Sequence, residues 1–195
     1  MTSCGRVIKR LLDVVISALA LVALSWLLAL IWLAIRLTSG APGIFKQERA
    51  GRNLKPFTFY KFRTMQPDAD PFGVSPTGGE DARLTRLGRR LRETSLDELP
   101  QLWNVLRGDM SLVGPRPLYL SQAREFTARQ RRRLEVQPGL TGLAQVVGRG
   151  ELPHEDKLEL DAKYVENAGL WLDLKIVFLT AAQVFRRKKI YQKWS

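Results

Sequence analysis

The sequence predicts an α+β fold, in which an N-terminal membrane helix precedes a small, mostly helical domain carrying one short β-hairpin. Three observations carry this. Twenty-two uncharged residues lie between Asp13 and Arg36, enough in a helix to match the hydrocarbon core of a bilayer. Phe57, Phe59 and Lys61 alternate with Thr58, Tyr60 and Phe62, the period of a strand. Leu84, Leu87 and Leu91 recur at helical spacing among arginines, the pattern of an amphipathic basic helix. At 195 residues the chain divides into a membrane element, 1–38, and a domain, 39–195.

The net charge of +12 implies anionic partners: nucleic acid, anionic lipid headgroups or phosphorylated small molecules. The single Cys4 excludes an internal disulfide, and Cys4 with His154 is too little for a zinc site. Cys4 is either a lipidation site or a spectator thiol. His154, with no serine or cysteine partner in view, reads as a surface residue.

The uncharged run is longer than a signal-peptide core, and no A-x-A-like cleavage site follows it closely. Arg6, Lys9 and Arg10 precede it, and Arg36, Lys46, Arg49 and Arg52 follow it, so the positive-inside rule finds no outside end. A helix that returns to the face it entered would explain this. Ser25 could satisfy backbone groups freed at such a bend, but no proline breaks the helix, so spanning and re-entrant readings both stand.

After the 39–43 turn, residues 44–62 read as a strand pair closing across 51–56, with Lys61 and Arg63 on one side of its end. Two cations so placed would clamp a phosphate or form a solvated face. Residues 66–82, rich in Pro, Gly and Asp, read as loop. The basic helix with Leu84, Leu87 and Leu91 then leads Arg92 into TSLDELPQLWNVLRGDMSLVGPRP, residues 94–117.

In that stretch Asp97 and Glu98 follow Ser95 at a possible helix start, where unpaired N–H groups and the helix dipole would keep both carboxylates ionised. Ionised carboxylates attack phosphorus or hold a divalent cation. The same residues also fit a capping box, Ser95-x-x-Glu98, with no chemistry implied.

Residues 118–134 form a basic helical stretch, and Gly139, Gly142, Gly148 and Gly150 surround a short apolar run. Such glycines let backbone approach a ligand, with Arg149 on phosphate, or simply make a tight loop. Residues 151–168 read as an acidic helix. Residues 170–185 read as an apolar one that is too short to span, because Asp173 and Lys175 interrupt its start. Trp171, Tyr191, Trp194 and the basic residues 186–189 suit the membrane interface, and burial against the domain is the competing reading.

Taken together, Lys61-Phe-Arg-Thr-Met65, Ser95-Leu-Asp-Glu-Leu99, Gly114-Pro-Arg-Pro117 and Pro138-Gly-Leu-Thr-Gly-Leu-Ala-Gln-Val146 with Gly148-Arg149 resemble the bacterial sugar transferase family, the monotopic phosphoglycosyl transferases. The resemblance runs from Lys9-Arg-Leu-Leu-Asp13 to Leu172-Asp-Leu-Lys175 and is to the minimal, catalytic-domain form. It implies an enzyme of the bacterial inner membrane, its catalytic domain on the cytoplasmic face. The reaction implied moves a sugar-1-phosphate from a UDP-sugar to polyprenyl phosphate and initiates surface glycan synthesis. The implied partners are UDP-sugar, polyprenyl phosphate and membrane phospholipid, with no nucleic acid, and the implied cofactor is Mg2+.

By the same resemblance Asp97 is the nucleophile of a ping-pong reaction through an aspartyl-phosphosugar. Glu98 shares the metal or takes a proton, and Lys61, Arg63, Arg92, Arg116 and Arg149 bind substrate phosphates. Family members commonly carry Ser-Pro in mid-helix where this chain has Ser25-Trp26, yet a re-entrant helix is still what the resemblance implies. The rival reading is a non-enzymatic, membrane-anchored basic module for anionic lipid or nucleic acid, which leaves the acid pair unexplained.

Overall fold

The computed structural model describes residues 3–70, 81–148 and 152–185. The uncharged run is two helices: α1 (Ser3–Ala23) and α2 (Ser25–Ser39) meet at Leu24 with a bend of 62°. No proline makes this bend. Ser25 Oγ donates to the Val22 carbonyl at 2.8 Å and so occupies an acceptor beside the break. Neither helix is by itself long and apolar enough to cross a membrane.

The first turns of α1 are fastened to the rest of the domain. Arg10 donates to the Val105 and Leu106 carbonyls (2.7 and 2.9 Å) at the end of α4 (Gln101–Arg107), where the helix leaves carbonyl acceptors without a full set of partners. Asp13, buried, accepts from the Leu112 N–H at 3.0 Å. Lys9 bridges the Val113 carbonyl and the Asp173 carboxylate (3.0 and 2.7 Å).

The hairpin forms as its alternation predicts. β1 (Ile44–Ala50) pairs antiparallel with β2 (Pro56–Phe62), in register Phe45 to Lys61, Gln47 to Phe59 and Arg49 to Phe57. Partners in such a ladder share a face. One face carries Phe62 and Ile44, which pack on Ile31 and Ile35 of α2 and Leu91 of α3 (Arg86–Glu93). On the other, Phe59 packs on Val105 and Met110. Asn104 locks α4 to the hairpin: fully buried, it donates to the Thr58 carbonyl (2.7 Å) and accepts from the Tyr60 N–H (3.2 Å).

Residues 118–134 depart from the single helical stretch expected. They form α5 (Leu120–Arg124), α6 (Ala128–Arg131) and a 3-10 turn, Arg132–Glu135. Thr127 caps α6 by accepting from the Gln130 N–H, and a new cap there restarts the chain in a new direction. The glycine-rich run is likewise not a ligand loop over the residues described. Gly139–Thr141 is a strand, β4, parallel to β3 (Ser111–Val113), and Leu143–Gly148 is a helix, α7. A Cβ on Gly139 would lie 2.1 Å from the Gly114 nitrogen, so this glycine lets two backbones touch rather than a backbone and a substrate.

α8 (His154–Glu166) and α9 (Leu170–Phe185) close the fold. Arg129 of α6 pairs with Glu159 and Glu166 of α8. α9 has two faces. Ile176 is 1% exposed and packs with Tyr164 and Val113, whereas Trp171 is 82% exposed and continues into Leu174 and Phe178. Burial and an outward apolar surface therefore both hold, on opposite sides of one helix. Tyr191, Trp194 and the basic residues 186–189 lie outside the described residues.

Candidate active site

The basic helix α3 begins where Thr85 caps the Gly88 N–H (2.8 Å) while its own N–H binds the Thr64 carbonyl (3.0 Å). Gly88 is required there, since a Cβ would lie 2.0 Å from the Thr64 oxygen. This close approach brings the helix onto the segment that follows β2, and Arg92 Nε reaches Thr64 Oγ1 at 3.1 Å. α3 ends with Ser95 at φ 58°, a left-handed conformation that costs a non-glycine residue on the order of 1 kcal/mol. The chain reverses there into the 3-10 turn Leu96–Glu98.

The acid pair lies in the first turn of a short 3-10 helix that starts after Ser95, as expected, but this helix is only three residues long and sits between α3 and α4. The expected capping box is absent, because a left-handed Ser95 makes no side-chain cap. Asp97 is 6% exposed, and its carboxylate accepts no hydrogen bond among the described residues. Burial first, and then the neighbouring Glu98, push its pKa up to about 6, against the attraction of Lys61, Arg92 and Arg116. The expectation that backbone donors hold both acids ionised is thus half corrected. Glu98 is held below the usual carboxylate range: burial opposes this, but the charge and hydrogen bond of Arg116 outweigh it, helped by Lys61 and Arg92. The Arg116–Glu98 contact is 2.6 Å.

Lys61 arrives from β2. Burial and the adjacent Arg92 bring its pKa down to about 8, with Asp97 and Glu98 pulling the other way. Of the residues expected, the structure brings together Asp97, Glu98, Lys61, Arg92 and Arg116. Arg63 departs: it donates to the Pro42 carbonyl at 3.2 Å, and no hydrogen bond or ion pair joins it to the acid pair among the described residues. Lys61 and Arg63 do share one side of the hairpin end, both lying over the Phe45 ring (5.2 and 5.7 Å to its centroid), and the Arg63 N–H continues the ladder onto the Gly43 carbonyl. Of the two, only Lys61 acts on the acid pair. Arg149 lies outside the described residues.

Two residues of this region were not evident from sequence spacing. Arg133 is buried and bonds to Asp161 through Nε and Nη2 (3.1 and 2.6 Å), while Nη2 also donates to the backbone carbonyl of Arg116 at 2.6 Å. A buried ion pair thus holds the loop that presents Arg116. Only the distance from Arg133 and Asp161 to the 114–117 turn in sequence hid them.

Among the described residues no group of three or more His, Cys, Asp or Glu could hold a metal. Mg2+ nevertheless fits the pair, because it is commonly bound by one or two carboxylates with substrate phosphates completing its shell. The repulsion between Asp97 and Glu98 is the kind that a divalent cation relieves.

The bacterial sugar transferase family model matches residues 4–187. A sugar transferase of Bacillus subtilis, EpsL, is 46% identical over 187 residues, 95% of this chain and 91% of that protein. The undecaprenyl-phosphate glucose phosphotransferase of Komagataeibacter xylinus is 46% identical over 92% of this chain and 36% of its own length. The undecaprenyl-phosphate galactose phosphotransferase of Salmonella typhimurium is 39% identical over 96% of this chain and 42% of its own. The chain therefore spans less than half of these two longer relatives. The family model's match over 4–187, with 46% identity to a relative over nearly all of both chains, makes this chain a member of the bacterial sugar transferase family.

Proposed function

We propose that this protein transfers a sugar-1-phosphate from a UDP-sugar to a polyprenyl phosphate, undecaprenyl phosphate being the acceptor named for its relatives. The observation that carries this is Asp97: a buried carboxylate that accepts no hydrogen bond among the described residues and feels the charges of Lys61, Arg92 and Arg116. Desolvation leaves it basic and nucleophilic, and the cations accommodate the anionic group that it attacks.

In the first step an Asp97 oxygen attacks the sugar-bearing phosphorus. The bond from that phosphorus to the bridging oxygen breaks, and UMP leaves with the electron pair. In the second step an oxygen of the lipid phosphate attacks the same phosphorus and frees the carboxylate, so the kinetics are ping-pong. Arg116, steered by Glu98, and Lys61 spread the charge that builds on the phosphoryl oxygens. Magnesium, held by Asp97 and Glu98, would supply further charge neutralisation of the diphosphate.

The bent helix pair supports membrane insertion from one side. Asp13 and Arg36 lie 11 and 12 residues from Leu24, so each limb is only about 16–18 Å long, about half a bilayer core, and at a 62° bend the two limbs enter obliquely and reach less deep than their length. Both limbs then return their charged ends to one face, with the catalytic domain on the cytoplasmic side and the exposed side chains Leu19, Val22 and Trp26 in lipid. Tags on both termini should be accessible from the same side of the membrane.

The reaction is tested by incubating the protein with a panel of UDP-sugars, starting with UDP-glucose and UDP-galactose, without lipid acceptor. A stoichiometric burst of UMP and a sugar-phosphate mass adduct on Asp97 are expected. An adduct elsewhere, or UMP release only when acceptor is present, would overturn the mechanism.

A further inference from the structure

The face of the hairpin that carries Lys61 continues away from the acid pair. Lys61 stands opposite Phe45, and Gln47 and Arg49 follow on the same face of β1, placing Arg49 about 13 Å along the strand from Lys61's partner. The end of β1 is stitched to the segment after the 114–117 turn by the Ala50 N–H on the Leu118 carbonyl (2.9 Å). That bond sets Arg49 against Tyr119, its guanidinium 3.7 Å from the ring centroid, with Phe59 at 5.7 Å.

This arginine is held in place but not neutralised. Its Nη2 donates to Gln47 Oε1 at 2.6 Å, it forms no ion pair among the described residues, and its Nε is buried without a hydrogen-bond partner. Its neighbour in charge is another cation: burial first, and Arg116 next among the opposing influences, lower its pKa, while Tyr119 works against them. Arg116 already has Glu98 at 2.6 Å, whereas Arg49 has no acid of its own among the described residues, so the two guanidinium groups together carry one charge with no anion. Arg116 is the shared neighbour, since its charge is felt by Lys61 as well as by Arg49.

We infer that Arg49 is a further donor-binding residue, which with Arg116 grips the phosphate of the departing nucleoside monophosphate. This rests on the reaction proposed above. In-line displacement puts the leaving group on the side of phosphorus opposite the nucleophile. On this assignment Arg49 stands on that side, next to the 118–119 segment that follows the Arg116 turn and to which the end of β1 is bonded. Its flat stacking on Tyr119 presents the guanidinium edge, the geometry for two parallel bonds to phosphate oxygens, while Gln47 keeps the plane from rotating.

The test is calorimetric titration of the full-length protein in lipid nanodiscs with UMP and with uridine, for wild type, Arg49→Ala and Arg49→Lys. Arg49→Ala should weaken UMP binding tenfold or more and leave uridine within twofold. KM for the UDP-sugar should rise more than kcat falls. Arg49→Lys retains charge and stem, serves if the alanine variant does not fold, and should weaken UMP severalfold. Equal weakening of UMP and uridine, or UMP binding within twofold of wild type in both variants, would overturn the inference. Failure of wild type to bind UMP at all would instead sink the reaction on which it rests.

Discussion

Asp97 and Asp161 are both buried acids tied to Arg116, and the protein treats them in opposite ways. Asp161, 3% exposed, takes two hydrogen bonds from Arg133, which in turn holds the Arg116 backbone. Asp97, 6% exposed, takes none among the described residues and faces a second acid. A buried charge with a complete set of partners serves as a fixed structural pin, whereas one left without them keeps its free energy for a reaction. Leaving Asp97 so placed adds to the cost of a left-handed Ser95 and is offset only in part by cations that stop short of bonding it.

The largest expected effect is on turnover. Asp97→Asn should reduce UMP release by at least about 10⁴-fold, as loss of a covalent nucleophile does, and should abolish the adduct in mass spectrometry. The same variant should be more stable than wild type. Burial places the folded pKa near 6, above the unfolded value of about 4, so the cost of the ionised group is absent at low pH and grows as pH rises through about 6. Thermal unfolding should show the stabilisation at pH 8 and little of it at pH 4. Stabilisation of equal size at both pH values would mean that Asp97 carries no such cost.

Asp161→Asn should do the reverse. Removing one partner of a buried pair leaves Arg133 uncompensated, so stability should fall by about 3–5 kcal/mol, read by chemical denaturation. Activity should decline only as far as the Arg116 loop loosens. Arg116→Ala lies between the two extremes and should cost about 10²–10³-fold in kcat with a much smaller change in unfolding midpoint. The smallest expected effect is on the pH profile. Activity should rise as Asp97 ionises through about 6 and fall as Lys61 loses its proton through about 8. Lys61→Arg should move only the alkaline limb, to higher pH. An unmoved alkaline limb would assign it to another group.

Much of the frame was readable in the sequence. The hairpin shows because seven-residue strands are long enough for alternation to register, and the uncharged run of the bent helices shows because length alone marks it. The parallel β3–β4 pair does not show. Three residues per strand carry no period, and the pairing depends on Gly139 admitting the Gly114 backbone. For the site, Asp97, Glu98, Lys61, Arg92 and Arg116 converge as expected, while Arg63 shares the Lys61 side as strand parity predicts but donates to the Pro42 carbonyl and not toward the acid pair. Arg133 and Asp161 were missed because long-range contact gives them their role. Arg49 had a signal that strand parity could have supplied, since it lies on the face that Lys61 occupies.

The five bonds from Lys9, Arg10 and Asp13 into the domain make α1 a rigid stilt. On the proposed insertion and mechanism, how high Asp97 rides above the lipid surface is then a built-in dimension of the protein. A chain whose first limb were lengthened by one helical turn would raise or tilt its reaction centre relative to the acceptor headgroup by about 5 Å, and bilayer thickness becomes a variable that turnover should sense.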